Sequence, residues 1–168
     1  MWCGLRNGSR FYTKDIKTTD LVHSLSYTRI FIFLQYRSKI LFQMDTVVYT
    51  KNAPEPIGPY KQAILAGNTL YVSGQIPINP ATKELISESY AKATEQVMEN
   101  IQAILQAANM SFDDVVRCTI FVADLAHFAE VNEMYGQFFG AISPSRECVQ
   151  VAALPKGALV EISAIAVK

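Results

Sequence analysis

The sequence predicts an α+β domain in which a single sheet carries two helices on one face. Three observations support this prediction. A strongly amphipathic helical pattern lies at residues 89–109, β-branched runs lie on both sides of it, and the segments follow the order two strands, helix, strand, helix, two strands. The chain has 168 residues, enough for one hydrophobic core but few for two. We therefore expect one folded domain.

The predicted domain starts at residue 44 and opens with a β-branched run at residues 46–50 that can form a strand. Residues 52–60 contain three prolines and a glycine, which predicts an ordered loop and not the interior of a helix or strand. The short apolar runs at residues 61–65 and 69–73 are separated by an Ala-Gly-Asn turn. This arrangement predicts a β-hairpin.

The helix at residues 89–109 has one apolar stripe and one charged side. Its charged residues Lys92, Glu95 and Glu99 lie off the stripe, so one face of the helix should pack on a core. The stripe consists of Val97, Ile101, Ile104, Leu105 and Ala108.

The second half of the predicted domain contains a strand, a second helix and two further strands. A turn at residues 111–114 precedes the β-rich run 115–122, and Asp124 is placed to cap a second helix that extends to about Gly140. Two final strands are expected at about residues 147–152 and 159–167. These two helices should cover one face of the sheet, which leaves an apolar face uncovered and predicts self-association with clefts between copies.

The first 43 residues differ in composition from the rest of the chain. They hold seven basic and two acidic residues, against eight basic and thirteen acidic in the remainder. This segment is either a mitochondrial transit peptide or a wrongly assigned start before Met44, and in neither case does it contribute to the fold. It has no apolar run of the about 18 to 20 residues that span a bilayer. We expect a cytoplasmic protein, or a mitochondrial one if the segment is a genuine transit peptide.

Several common catalytic and binding motifs are absent. The chain has no GxGxxG, GxxxxGK[ST], HExxH or GxSxG motif, and its three cysteines suggest neither a disulfide framework nor a zinc site. His127 is the only histidine after residue 43 and is interpreted as a residue of the helix surface. We expect chemistry without a metal, carried by groups such as arginine and glutamate. The planar guanidinium of arginine can bind a carboxylate in bidentate fashion.

Alternation along the last two strands places charged residues on defined faces. Arg146 and Cys148 share one face of their strand, and Glu161 and Ser163 share one face of the last strand. If the two strands are near neighbours, these four side chains converge. The alternative is that these faces simply meet water, although Glu161 lies within an otherwise apolar stretch, where a carboxylate needs a partner. Cys148 is either a thiol activated by Arg146 or a small buried strand residue.

Several motifs resemble those of the reactive intermediate deaminase family, the RidA or YjgF-like proteins, from about residue 46 to the C-terminus. They are Ile57-Gly-Pro-Tyr60, Ser73-Gly-Gln-Ile-Pro77, Val131-Asn132 followed by Tyr135, Pro144-Ser-Arg-Glu-Cys-Val-Gln-Val151 with Leu154-Pro155, and Glu161-Ile-Ser-Ala-Ile-Ala-Val167. The resemblance implies a chorismate mutase-like fold that assembles as a homotrimer with sites between subunits. It also implies cofactor-independent hydrolysis of 2-iminobutanoate and 2-iminopropanoate, or of their enamine tautomers, to 2-oxo acids and ammonia.

The same resemblance implies roles for individual residues. Arg146 matches the arginine that holds the substrate carboxylate, and Glu161 matches the carboxylate that orients or activates water. Tyr60, Ser73, Gly74, Asn132 and Cys148 match residues that line the pocket. Two departures are small: Ser145 replaces a common alanine, and Glu147 adds a charge that would weaken anion binding if it turned inward.

Two other functions remain open. Some proteins of this family are described as endoribonucleases or translation inhibitors, but the net charge of about −5 after residue 43 and the lack of basic stripes argue against nucleic acid as a partner. A non-catalytic, ligand-binding or chaperone-like trimer is the third alternative, and the retained Arg146 argues against it. No membrane association is expected.

Overall fold

The computed structural model describes residues 45–168, which form a six-stranded mixed sheet with two α-helices. The interpretations of residues 1–43 lie outside the described residues. The elements are β1 (Thr46–Val48), β2 (Ala63–Ala66), β3 (Thr69–Gln75), α1 (Tyr90–Ala107), β4 (Val115–Val122), α2 (Phe128–Gly136), β5 (Ser145–Gln150) and β6 (Val160–Val167). The predicted α+β class and hairpin are therefore confirmed, and the order of elements is as predicted except that β1, at the possible strand of residues 46–50, makes three strands before α1. Within residues 45–168 no helix is long and apolar enough to cross a membrane.

The strands lie in the order β1-β2-β3-β6-β4-β5. β4 and β5 are parallel, and every other neighbouring pair is antiparallel. The sequence interpretation made the last two strands possible neighbours, and that is wrong, because β4 pairs with β6 on one side and with β5 on the other. β5 is consequently an edge strand of the sheet.

Burial alternates along each strand and identifies the face that packs against the helices. In β6, Val160 and Ile162 are fully buried, whereas Glu161 and Ser163 between them are partly exposed. We call the buried side the helix face and the other side the open face. No helix of residues 45–168 covers the open face, on which Tyr71 of β3 is 51% exposed.

Helix α1 packs on the helix face as predicted. Its N-terminus is capped by Ser89, whose side chain accepts a hydrogen bond from the backbone N–H of Lys92. The predicted stripe residues Val97, Ile101 and Ile104 are fully buried in the core. Burial of this stripe, more than helix propensity, accounts for the stability of the helix.

The second helix is shorter than predicted. Asp124 caps a 3₁₀ turn at Leu125–His127, where its side chain accepts from the N–H of Ala126, and α2 follows only from Phe128 to Gly136. Gly136 and Gly140 flank the segment predicted to continue the helix, and glycine lowers helix stability. The chain leaves the helix there and places Phe138 against Phe112 in an edge-on ring contact.

Candidate functional site

Four of the predicted site residues line one cavity of about 350 Å³, at the open face next to the proline-rich loop. We call this cavity the Glu161 pocket. The four are Tyr60, Ser73, Gly74 and Glu161, and Ile57, Ile76 and Pro155 complete the lining. Apolar walls with a few polar groups are typical of small-molecule sites.

A β-bulge places Gly74 beside Glu161. Ser73 and Gly74 of β3 both lie opposite Ser163 of β6, so β3 carries one extra residue at this point. A Cβ atom added to Gly74 would lie 2.0 Å from Oε1 of Glu161. Only glycine therefore lets the Glu161 side chain lie across β3.

Glu161 has no hydrogen-bond or ion-pair partner among residues 45–168, although it is partly buried. Burial raises the pKa of its carboxyl group above the ordinary value. A carboxylate of raised pKa that keeps its lone pairs free can accept a proton from water and return it later. A carboxylate within an apolar strand needs a partner, and residues 45–168 of one chain supply none.

The loop that carries Tyr60 is held by Gln62, a residue that the sequence analysis did not single out. Its buried side-chain amide donates to the carbonyl oxygens of Thr50, Ala53 and Pro54, and its Oε1 accepts from the N–H of Thr50 at 2.8 Å. The sequence did contain a signal for this role, because Gln62 is a polar residue within the apolar run 61–65 that was predicted to be a strand.

Two further contacts order the rim of the Glu161 pocket. The N–H of Ile57 donates to the Tyr60 hydroxyl at 3.2 Å, which closes the loop on itself. The Ser73 hydroxyl donates to the carbonyl oxygen of Lys61 at 2.7 Å. The Ser73 oxygen therefore remains available to the pocket as an acceptor.

The remaining three predicted residues, Arg146, Asn132 and Cys148, lie at a second place. We call it the Arg146 cluster: Arg146 and Cys148 of β5, with Phe128, Asn132 and Tyr135 of α2. Arg146 Nη1 donates to Oδ1 of Asn132 at 2.8 Å. The guanidinium carbon lies 5.6 Å from the ring centre of Phe128 and 5.0 Å from that of Tyr135. These three α2 residues are four and three positions apart, so they share one side of the helix and fix the guanidinium.

No carboxylate of residues 45–168 forms an ion pair with Arg146. Guanidinium carries five N–H donors, and Asn132 accepts from one of its nitrogens, so the Arg146 group keeps donors for an anion. Burial raises the pKa of the Cys148 thiol, an effect that the nearby Arg146 charge only partly offsets. The thiol therefore stays protonated near neutral pH, which favours its interpretation as a lining residue.

The predicted convergence of Arg146 with Glu161 is wrong for a single chain. Arg146 lies opposite Cys118, a fully buried residue of the helix face, whereas Glu161 lies opposite Phe121, which points to the open face. With β4 between their strands as well, one chain cannot bring both side chains to one small ligand.

Glu147 and His127 belong to neither of the two groups of predicted site residues. Glu147 points to the open face, where its carboxylate accepts from the Thr119 hydroxyl and from Arg117 at 2.8 Å, interactions that lower its pKa. It does not turn toward Arg146. His127 stacks on Tyr90 with 4.2 Å between ring centres and contacts Glu130. Within residues 45–168 no three His, Cys, Asp or Glu side chains are grouped as metal ligands.

Comparison with known proteins defines the class. The model of the Endoribonuclease L-PSP family matches residues 50–168, and the chain belongs to this family. A RutC family protein of Pyrococcus horikoshii is 50% identical over 125 residues, which cover 74% of this chain and 99% of the relative. The solved structure of RidA from an Antarctic Psychrobacter has a TM-score of 0.71 at 44% identity, and the match covers 73% of this chain and 99% of that one.

Some relatives have a specific activity in their names. Human 2-iminobutanoate/2-iminopropanoate deaminase is 44% identical over 122 residues, which are 73% of this chain and 89% of the relative. The resemblance to RidA-type proteins and the predicted fold are therefore confirmed.

Proposed function

We propose that this protein hydrolyses small 2-imino acids, such as 2-iminobutanoate and 2-iminopropanoate, to 2-oxo acids and ammonia. The observation that carries this proposal is the Arg146 guanidinium, which Asn132 and two aromatic rings hold in place while its other donors remain free of carboxylate partners in the described chain. A fixed guanidinium of this kind matches the carboxylate that every 2-imino acid carries. The name of the human relative supports the same substrate class.

We further propose that the site forms between two copies of the chain in a homotrimer. The Arg146 cluster lies at edge strand β5 on the helix face, and the Glu161 pocket lies on the open face. Each place has half of the required chemistry: one holds a free cation, and the other holds a carboxylate without a partner. Association through the uncovered face would bring the Arg146 of one copy to the Glu161 of its neighbour.

The reaction needs little more than orientation, because C2 of a 2-imino acid is already electrophilic. Arg146 would fix the substrate carboxylate, and Glu161 would take a proton from a water molecule as its oxygen bonds to C2. As the C2–N double bond opens, Glu161 passes this proton to the nitrogen, and the product is a 2-amino-2-hydroxy acid. Glu161 then takes the proton of the new hydroxyl and gives it to the nitrogen as the C2–N bond breaks, so that ammonia and a 2-oxo acid leave.

The decisive experiment combines two variants of the shared site. Arg146→Ala and Glu161→Gln should each lose the release of 2-oxo acid from an imine generated in place by a dehydratase. Coexpressed in equal amounts with different tags and purified through both tags in turn, the two variants should recover activity. In a trimer that contains both variants, one of the three clefts then contains both native groups.

Two results would contradict these proposals separately. A parent protein that releases no 2-oxo acid above the spontaneous rate refutes the deaminase function. If the parent protein is active but the mixed assembly is as inactive as either variant alone, the proposed site between subunits is refuted.

The family model's description raises a second candidate, cleavage of RNA. The residues after position 43 hold eight basic against thirteen acidic side chains, which disfavours binding to phosphate backbones. Purified protein should leave single-stranded RNA intact. RNA cleavage that persists in Arg146→Ala would instead support a separate nuclease activity.

A further inference from the structure

A second cavity of about 420 Å³ borders the proline-rich loop and contains none of the predicted site residues. Ile57 lines both this cavity and the Glu161 pocket, so the loop is a wall that the two share. We call it the lysine cavity, because Lys51, Lys83 and Lys156 line it. The three lysines come from three separate segments of the chain, and only the fold brings them together.

The cations of the lysine cavity lack partners. Of the eight Lys and Arg residues in the described part of the chain, four have ion pairs or side-chain hydrogen bonds: Lys92, Arg117, Arg146 and Lys168. Among residues 45–168, the side chains of the other four make no such interaction, and three of those four line this cavity. The fourth, Lys61, lies elsewhere. The concentration of unpaired charge at one cavity indicates an anion as the missing partner.

The only carboxylate in the lining of the lysine cavity is already engaged. Glu55 accepts a hydrogen bond from the hydroxyl of Tyr49, another lining residue. The lining therefore contains three lysines and one carboxylate, an excess of two positive charges. Apolar groups of Ala53, Ile57 and Ile78 form part of the remaining wall.

Two of the three lysines occupy strained backbone positions. Lys83 has φ 63° and Lys156 has φ 57°, a left-handed conformation that is unfavourable for residues other than glycine. Both lie in closed turns: the N–H of Lys83 donates to the carbonyl of Asn79 at 2.8 Å, and the N–H of Gly157 donates to that of Leu154 at 3.1 Å. A long cationic side chain at a position that favours glycine is typical of functional strain.

We propose that the lysine cavity is a second binding site, for a small organic anion with at least two negative charges. Lysine binds phosphate and carboxylate oxygens as a point charge, and three lysines suit a multiply charged group. The apolar wall accommodates a carbon skeleton, and the volume is in the range of small-molecule sites. A 2-imino acid, with its single carboxylate, lacks this charge.

The test uses the full-length protein with pyrophosphate and citrate as probes, in buffers of constant ionic strength without phosphate. Isothermal titration calorimetry should show saturable binding of at least one probe. Binding of pyrophosphate alone identifies a phosphate ligand, and binding of citrate alone identifies a polycarboxylate. Saturable binding of neither probe overturns the proposal.

Lysine variants locate the bound anion. Lys51→Gln and Lys83→Gln should each weaken binding about threefold to tenfold, the effect of one solvent-exposed charge on a divalent anion. The matched control Lys61→Gln removes an unpaired cation outside the cavity and should leave the affinity unchanged. Circular dichroism verifies the fold, and Lys51, whose backbone is not left-handed, provides the variant least able to disturb a turn.

Two outcomes would exclude this location even if an anion binds. Equal affinity of the parent and a Lys51→Gln/Lys83→Gln double variant would exclude the lysine cavity. Loss of binding in Arg146→Ala would assign the anion to the Arg146 cluster and overturn the proposal. Retention of binding in Arg146→Ala, together with loss in the double variant, supports a separate site whether or not the protein is a deaminase.

Discussion

Arg146→Ala is the substitution that tests the proposed site most directly. The substitution removes a guanidinium that donates to Asn132 at 2.8 Å and lies 5.0 Å from the ring centre of Tyr135. The ligand carboxylate would then lose its charged partner, while the backbone of β5 stays in place. The expected effect is a loss of catalysis without a loss of fold.

The magnitude follows from the surroundings of Arg146. Truncation of one partner of a buried, hydrogen-bonded charge pair costs about 2 to 5 kcal/mol. Arg146 is only partly buried, so the lower part of this range applies, about 2 to 3 kcal/mol. This free energy corresponds to a decrease of about 30- to 150-fold in kcat/KM.

The assay is release of 2-oxo acid from imine generated by a dehydratase, at several dehydratase concentrations, so that imine hydrolysis limits the rate. Arg146→Lys should be intermediate, because it restores the charge without the planar pair of donors. Lys92→Ala is the control for a lost positive charge, since Lys92 lies on the exposed side of α1 and pairs only with Glu95. A folded Arg146→Ala variant within about twofold of the parent, well under the expected decrease, would refute the assigned role.

Three further predictions concern residues that shape the Glu161 pocket. Burial raises the pKa of Glu161, so the folded protein holds this proton to higher pH than the unfolded chain does, and this group lowers the free energy of unfolding as pH rises through that window. Glu161→Gln should therefore stabilise the protein more at pH 7 than at pH 4, as measured by the difference in Tm from the parent. Gly74→Ala should lower kcat about tenfold to hundredfold in the imine assay, because its Cβ would lie 2.0 Å from the Glu161 carboxylate and displace it. Gln62→Ala should lower the free energy of unfolding in urea by about 1 to 3 kcal/mol, because the buried carbonyl of Ala53 and the partly buried carbonyls of Thr50 and Pro54 lose their donor.

Each of these predictions has a matched control and a contradicting result. An equal change of Tm at both pH values would show that Glu161 does not titrate abnormally. Gly136→Ala is the control for Gly74→Ala, since a Cβ at Gly136 meets nothing within 4 Å, and equal kcat in the two variants would contradict the steric argument. Gln102→Ala, on the exposed side of α1, should leave the free energy of unfolding in urea nearly unchanged. If Gln62→Ala lowers this free energy no more than Gln102→Ala does, the stabilising role of the loop contacts is contradicted.

Local patterns in the sequence were sufficient for most secondary structure. The apolar stripe of α1 predicted its buried residues correctly, because helical periodicity depends only on neighbours three and four positions away. Alternation similarly placed Arg146 with Cys148, and Glu161 with Ser163. The end of α2 was predicted too late, because apolar spacing continued through Phe138 after the chain had left the helix at Gly136.

The sequence by itself therefore determined the α+β class, the order of elements and, through the family motifs, the identity of the candidate site residues. Only the tertiary structure decided which of those residues lie together. The insertion of β4 between β5 and β6 separates Arg146 from Glu161, and a bulge at Gly74 opens the space for the Glu161 side chain. Strand order depends on pairing between residues far apart in the chain, whereas alternation is local, so no pattern within one strand can reveal its neighbours. The same long-range pairing places Arg146 on the helix face and Glu161 on the open face of the sheet.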